Sequence, residues 1–190
     1  IPINHLEAHV LSTFFNNNIK FPHLSLLVTG GHTQIYELNN LNKIKLIGET
    51  IDDAIGEAFD KVAKILGLNY PGGAELEKRA VYGNEDKFIL PQPLINENNL
   101  DFSFSGLKTA INIIAKKSNI NEEFINDMSA SFQKCISIIL EIKLEKAIKL
   151  LSISGKKIFE ISIVGGVANN KYIKSKLTKV CKRNKVNLLF

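Results

Sequence analysis

Cysteine is nearly absent: Cys135 and Cys181 are the only two in 190 residues, far apart, each in a stretch patterned as helix. That usage excludes a disulfide framework and a zinc ribbon, and it fits a reducing cytosol. Arginine is equally scarce, with Arg79 and Arg183 alone against a background rich in Lys, Asn and Ile. Genes of high AT content drift toward that composition, so the net charge of +5 argues only weakly for an anionic partner. No apolar run approaches the roughly 18 residues of a membrane span. No charged-then-apolar leader ending in small residues opens the chain. Repeats and low-complexity linkers are absent as well.

What is present is ordinary globular composition, 45% hydrophobic and 23% charged, enough for one domain with a full core or for one lobe and part of another. Residues 3–15 read as a helix. "HLSLLVTGGHTQIYEL" reads as strand, Gly-Gly turn, strand, and a third short strand around 43–47 completes a meander. A helix is expected over 52–66, with Ile55, Phe59, Val62 and Leu66 at helical spacing, Asp52 or Asp53 as N-cap, and Gly67 as its stop. A short helix follows "YPGG", residues 83–101 are mostly loop, and a helix carries Leu107, Ile111 and Ile114. A long helix is expected from about 121 to 151, then strand, Gly-Gly turn, helix, and the start of a last strand in "KVNLLF". Strands first, then helices, then a βαβ close make a mixed α/β pattern.

Three Gly-Gly pairs stand out: Gly30-Gly31, Gly72-Gly73 and Gly165-Gly166. Glycine permits positive φ and lets backbone N–H groups approach a phosphate closely. Two of the pairs follow a buried-looking strand, and Gly165-Gly166 leads on to a helix N-terminus, an arrangement that suits a nucleotide cleft as well as a plain turn. Asp53, Glu57 and Asp60, at i, i+4 and i+7, share one stripe of the 52–66 helix. Ionised carboxylates only accept hydrogen bonds, so the stripe is either a solvated face or a holder of ribose or substrate hydroxyls.

His5 and His9 are four apart and so share one side of a helix, as a common metal would require. The pattern is H-x-E-x-H, not H-E-x-x-H. Glu7 points away from the pair, which argues against a metalloprotease base. The segment "KYIKSKLTKVCKRNK" is the one basic cluster, either a nucleic-acid contact or a solvated helix face.

Taken in order, "NHLEAH", "LLVTGGHTQIY", "GETIDDAIGEAFDKVAKILGLNYPGG", "DFSFSGLKTA" and "GGVANN" resemble the TsaD family of tRNA N6-adenosine threonylcarbamoyltransferases over nearly the whole chain. The resemblance implies an α/β, actin/Hsp70/sugar-kinase-like (ASKHA) fold. Residues 1–20 would end the first lobe, and 21–190 would form most of the second, with a helical insertion at about 74–130. It implies transfer of a threonylcarbamoyl group from threonylcarbamoyladenylate to N6 of the tRNA adenosine beside the anticodon, with release of AMP, in the cytoplasm and beside TsaB- and TsaE-like partner proteins.

The same resemblance makes His5 and His9 ligands of a divalent metal, usually iron (Fe2+). It makes Leu27, Val28, Thr29, Gly30, Gly31, Asp60, Gly73, Glu77 and Asn170 substrate contacts. Position 77 is Glu where Asp is common, and "GGVANN" stands for the more usual "GGVSAN". Against the family pattern, an N-terminal phosphate loop before Ile1 and a metal-binding aspartate after Phe190 are expected. The 190 residues alone are therefore expected to be inactive. A non-catalytic scaffolding homologue and a small-molecule kinase of the same fold are the alternatives. The His pair disfavours the first and "DFSFSGLKTA" the second.

Overall fold

The computed structural model describes residues 5–15 and 17–189. Positions 3 and 4 of the expected first helix, and Phe190 at the end of the last strand, lie outside that range. The elements are α1 (His5–Leu11), a 3₁₀ turn (Ser12–Phe15), β1 (His23–Val28), β2 (Thr33–Asn40), β3 (Lys43–Glu49), α2 (Ile55–Ile65) and α3 (Gly72–Ala80). There follow α4 (Ser105–Lys116), α5 (Glu122–Ile153), β4 (Glu160–Val164), a second 3₁₀ turn (Gly166–Asn169), α6 (Lys171–Arg183) and β5 (Asn187–Leu189). One five-stranded sheet has the order β3-β2-β1-β4-β5. The meander β1–β2–β3 is antiparallel, whereas β1–β4 and β4–β5 are parallel.

Strand alternation divides the sheet between two cores. Leu24, Leu26 and Val28 of β1, with Ile161 and Ile163 of β4, face the large core under α2 to α6. Leu27 and Val164 face a small second core, with Val10 of α1, Tyr36 and Leu38. On that same face the His23 Nε2 lies 2.9 Å from Ser162 Oγ, and burial pushes the His23 pKa down to about 4 despite the opposing charge of Glu160.

Helix α5 is buried on most of its circumference, from Phe124 through Phe132 and Ile139 to Leu151. Its outer side is covered by the irregular segment 83–101 rather than by solvent. Asp127 Oδ1 accepts from the Asn84 N–H (2.7 Å), Ser131 Oγ from the Phe88 N–H (3.2 Å), and Cys135 Sγ donates to Pro91 O (3.2 Å). One turn after another, the ammonium of the buried Lys143 then donates to Leu94 O (2.7 Å) and Asn99 O (3.0 Å). Buried polar groups are tolerated when they are hydrogen-bonded, and here the helix side chains supply the partners that an irregular backbone lacks.

Two expectations fail at α2. Its N-cap is Ala54, with no side-chain cap. Asp52 instead serves α4: Oδ1 accepts from the Phe104 N–H (2.8 Å), and Oδ2 from the Ser105 hydroxyl (2.8 Å). These bonds outweigh burial and hold the Asp52 carboxyl below its usual range. Asp53 lies before the helix and pairs with Lys61, as does Glu57, so the acidic stripe does not act as a unit. Gly67 does end α2, at φ 71°.

Candidate functional site

The chain leaves β1 through Thr29-Gly30-Gly31-His32, and the neighbouring parallel strand β4 ends beside it in Gly165-Gly166. Thr29 ties its own loop: the hydroxyl accepts from the His32 N–H (2.9 Å) and the Gly31 N–H (3.3 Å). Glycine is required where the backbones meet. Gly165 sits at φ 106°, and a Cβ there would lie 2.4 Å from Val28 O. A Cβ on Gly56, in the first turn of α2, would lie 2.7 Å from Gly30 Cα, and the Gly56 N–H donates to Thr29 O (3.2 Å). Of the six paired glycines, only Gly165 uses positive φ. Gly72 is required for a different reason: a Cβ there would lie 2.6 Å from Ala63 Cβ and 2.8 Å from Asp60 Cα.

Between these loops and α2, α3 and the start of α6 lies a cavity of about 420 Å³. Gly30, Asp60, Gly73, Glu77 and Asn170 all line it, brought together from distant parts of the sequence. Asp60 Oδ1 accepts from the Gly72 N–H (2.8 Å), which fixes the carboxylate and joins α2 to α3. Glu77 Oε1 accepts from the Lys171 N–H (2.7 Å), joining α3 to the first turn of α6. Each carboxylate thus keeps an oxygen for a ligand hydroxyl. Asn170 is the α6 N-cap: its carboxamide oxygen accepts from the Ile173 N–H (3.0 Å), and its nitrogen donates to Gln133 Oε1 (2.8 Å). With the side chain so engaged, Asn170 positions the helix end at the cavity wall.

The other sequence-predicted contacts stand back from the cavity. Leu27 and Val28 are fully buried on opposite faces of β1, and neither lines it. Thr29 is half-buried and Gly31 exposed in the loop around Gly30. The lining also includes Gly56, Tyr70, Val167 and Asn169, which the sequence reading passed over. For Gly56 a signal existed, a glycine in the first turn of an otherwise strong amphipathic helix. For Tyr70 there was the Tyr-Pro-Gly-Gly turn itself.

His5 and His9 sit on one side of α1, ring centroids 4.7 Å apart and edge-on at 80°. That approach suits two ligands of one ion. Among the described residues no third His, Cys, Asp or Glu joins them to make a metal-binding cluster. The donor set therefore fits a metal as a partial site. The two cysteines do not contribute: both are buried, and burial pushes each thiol up to about 12.

Comparison with known proteins decides the family. The model of TsaD, tRNA N6-adenosine threonylcarbamoyltransferase, matches residues 1–190. The chain belongs to the TsaD family. Proteins named tRNA N6-adenosine threonylcarbamoyltransferase from Rickettsia canadensis and Rickettsia massiliae are each 47% identical over 195 residues, covering 100% of this chain. One from Rickettsia bellii is 46% identical over 192 residues. The chain spans 56% of the length of each of these relatives.

Among solved structures, full-length HypF in a phosphate- and nucleotide-bound form superposes with a TM-score of 0.71 at 14% identity, over 99% of this chain and 39% of HypF. Component A of the (R)-2-hydroxyglutaryl-CoA dehydratase of Acidaminococcus fermentans gives 0.50 at 16% identity, over 96% of this chain and 60% of its own. At such identities the likeness concerns fold alone, and the fold is the α/β, actin/Hsp70/sugar-kinase-like one implied for this family. No helix among the described residues is long and apolar enough to cross a membrane.

Proposed function

We propose that the whole protein carrying this chain transfers the threonylcarbamoyl group of threonylcarbamoyladenylate to N6 of the tRNA adenosine beside the anticodon and releases AMP. The observation that carries this reading, beyond family membership, is the cavity that gathers Gly30, Asp60, Gly73, Glu77 and Asn170 at the ends of two parallel strands. Asp60 and Glu77 would accept from ribose hydroxyls. The Gly30 and Gly166 backbones, which no side chain shields, would let a phosphate approach closely. Leu27, Val28, Thr29 and Gly31 would act from behind, holding Gly30 in place.

In the transfer, the amine nitrogen forms a bond to the carbonyl carbon, the carbonyl–phosphate oxygen bond breaks, AMP departs and one amine proton is released. Attack would be direct; of this chain's own residues the two cysteines are buried, and burial pushes each thiol up to about 12, so neither offers a ready thiolate for an acyl-enzyme. Positioning the amine against the carbonyl and excluding water would supply much of the rate.

His5 and His9 would hold a divalent metal, iron in the reading offered here, together with a third ligand from outside the described residues. Bound there, the ion would supply Lewis-acid polarisation or a template for the acyl group. Residues up to about 20 would belong to the first lobe and 21–190 to the second, with 74–130 as its helical insertion. The reaction would run in the cytoplasm, where tRNA is, with TsaB- and TsaE-like proteins as partners.

Supplying the full-length gene to a strain depleted of the modification, and measuring threonylcarbamoyladenosine in its tRNA, tests the function. Restoration is expected. Soluble protein with unmodified tRNA would refute it.

A further inference from the structure

The long side chain of Gln133 is buried midway along α5, with 5% exposure. Its carboxamide oxygen accepts from Asn170 Nδ2 (2.8 Å), 37 residues further along the chain. Burying a glutamine removes an amide from water and freezes its rotamers, so a partner of that kind has to repay both.

Asn170 shows why the partner is needed. It caps α6 with its carboxamide oxygen, on the Ile173 N–H (3.0 Å), and is itself only 7% exposed. With the oxygen committed to the cap, the amide NH2 is turned into the protein, where water cannot serve it. Asn121 makes the contrast: it caps α5 in the same way, on the Phe124 N–H (2.9 Å), but from an exposed position where solvent can take its other end. At Asn170 the acceptor has to come from the chain, and Gln133 Oε1 is that acceptor. With Gln133 so placed, turning the Asn170 carboxamide over would set oxygen against oxygen and NH2 against N–H, so one orientation wins. The backbone of Asn170 is tied as well, its N–H to Val167 O (3.1 Å) and its carbonyl to the Lys174 N–H (2.9 Å). Next to it Glu77 holds the Lys171 N–H (2.7 Å), so the wall of Glu77, Asn169 and Asn170 hangs on this one helix end. The same turn of α5 backs the cavity again through Phe132, whose ring meets that of the lining residue Phe59 edge-on at 4.9 Å.

We propose that Gln133 is a positioning residue for the nucleotide: it does not line the cavity, but by accepting from Asn170 it fixes that carboxamide and the first turn of α6 against the bound adenylate. The inference rests on the proposed function for the identity of the ligand. Wall contacts to the nucleotide are the same before and during acyl transfer, so loosening them raises KM and spares the chemical step. Simple destabilisation would instead lower the active fraction, and with it kcat, at constant KM.

The test uses the full-length protein, with AMP binding followed by calorimetry and transfer to unmodified tRNA followed by steady-state kinetics. Q133M keeps the bulk and removes the acceptor. It is expected to weaken AMP binding about tenfold and to raise KM for threonylcarbamoyladenylate by a like factor, with kcat within about threefold of wild type. Q133E, whose carboxylate accepts as the amide oxygen did, is expected to restore both constants. In the N170S background a hydroxyl can still cap α6 but is too short to reach Gln133, so Q133M should add less than about twofold. Should Q133M not fold, Q133N, one methylene short of Asn170, is read by the same measures. Unchanged AMP affinity and KM would overturn the proposal, as would a fall in kcat alone or the full loss in the N170S background. If the variant weakens AMP while even the wild type leaves tRNA unmodified, the positioning role stands and the assigned reaction fails. If tRNA is modified and the variant matches wild type in every constant, the reaction stands and the positioning role falls.

Discussion

The cavity wall and the His-pair helix are built by opposite means. Around the cavity, four elements are locked by backbone contacts so close that glycine is obligatory at Gly56 and Gly165, and the two carboxylates are each anchored by an N–H of a different helix. The His pair rests on one short helix, whose ties to the sheet include apolar contacts of Val10, Leu6 and Leu11 with the small core. A ligand cavity made of backbone is specified within this chain. A metal site made of two imidazoles on one short helix needs something more to complete it.

The sharpest way to break that contrast is Gly165→Ala. The residue occupies a region of φ/ψ open almost only to glycine, and its new Cβ would meet the Val28 carbonyl at 2.4 Å. A loss of about 3 kcal/mol or more is expected in denaturant melts. A loss under 1 kcal/mol would mean that the strand ends are not locked.

Acid should separate the two regions from the other side. His23 lies against the 3₁₀ turn that follows α1, its ring 5.8 Å from that of Phe14, and its folded pKa of about 4 is below the ordinary 6.5. A depressed histidine pKa means that the unfolded chain binds the proton first, so stability declines as pH falls from about 6.5 toward 4. The full effect is about 3 kcal/mol. Hydrogen exchange over that range should show the α1 side opening before the cavity loops. A His23→Gln variant should flatten the profile.

Smaller effects bear on the ligands. Glu77→Gln keeps an acceptor for the Lys171 N–H but removes the charge, so stability should change by about 1 kcal/mol at most. Binding of an adenylate analogue, followed calorimetrically, should weaken about tenfold. Least of all in stability, His9→Ala should shift unfolding by no more than about 0.5 kcal/mol, because the ring is only half-buried in a short helix. The same change should abolish stoichiometric metal in the full-length protein. Retained metal would dissolve the distinction between the two regions.

Much of this architecture is legible in residues alone. Alternation and the turn at Gly30-Gly31 place β1 and β2, and Gly67 stops α2 where expected. Other features depend on contacts between distant segments. Asp52 reads as a local cap, yet it is drawn to the free N–H groups of α4 some fifty residues on. The stripe of Asp53, Glu57 and Asp60 looks uniform, but Lys61 takes the first two and leaves the third to the cavity. Glu77 meets the Lys171 N–H only because α3 and α6 converge. A glycine kept for close approach looks the same in a sequence as one kept for its dihedral, and only Gly165 proves to be the second kind among the pairs.

The segment 83–101 has a consequence of its own. It meets α5 at Asp127, Ser131, Cys135 and Lys143, nearly every turn of the helix in succession. Its contour is therefore calibrated against a rigid rod, one stretch of coil to each pitch. Ordinary surface loops absorb added or lost residues freely. This one should not, since a single insertion would put every later rung out of phase with the helix beneath it.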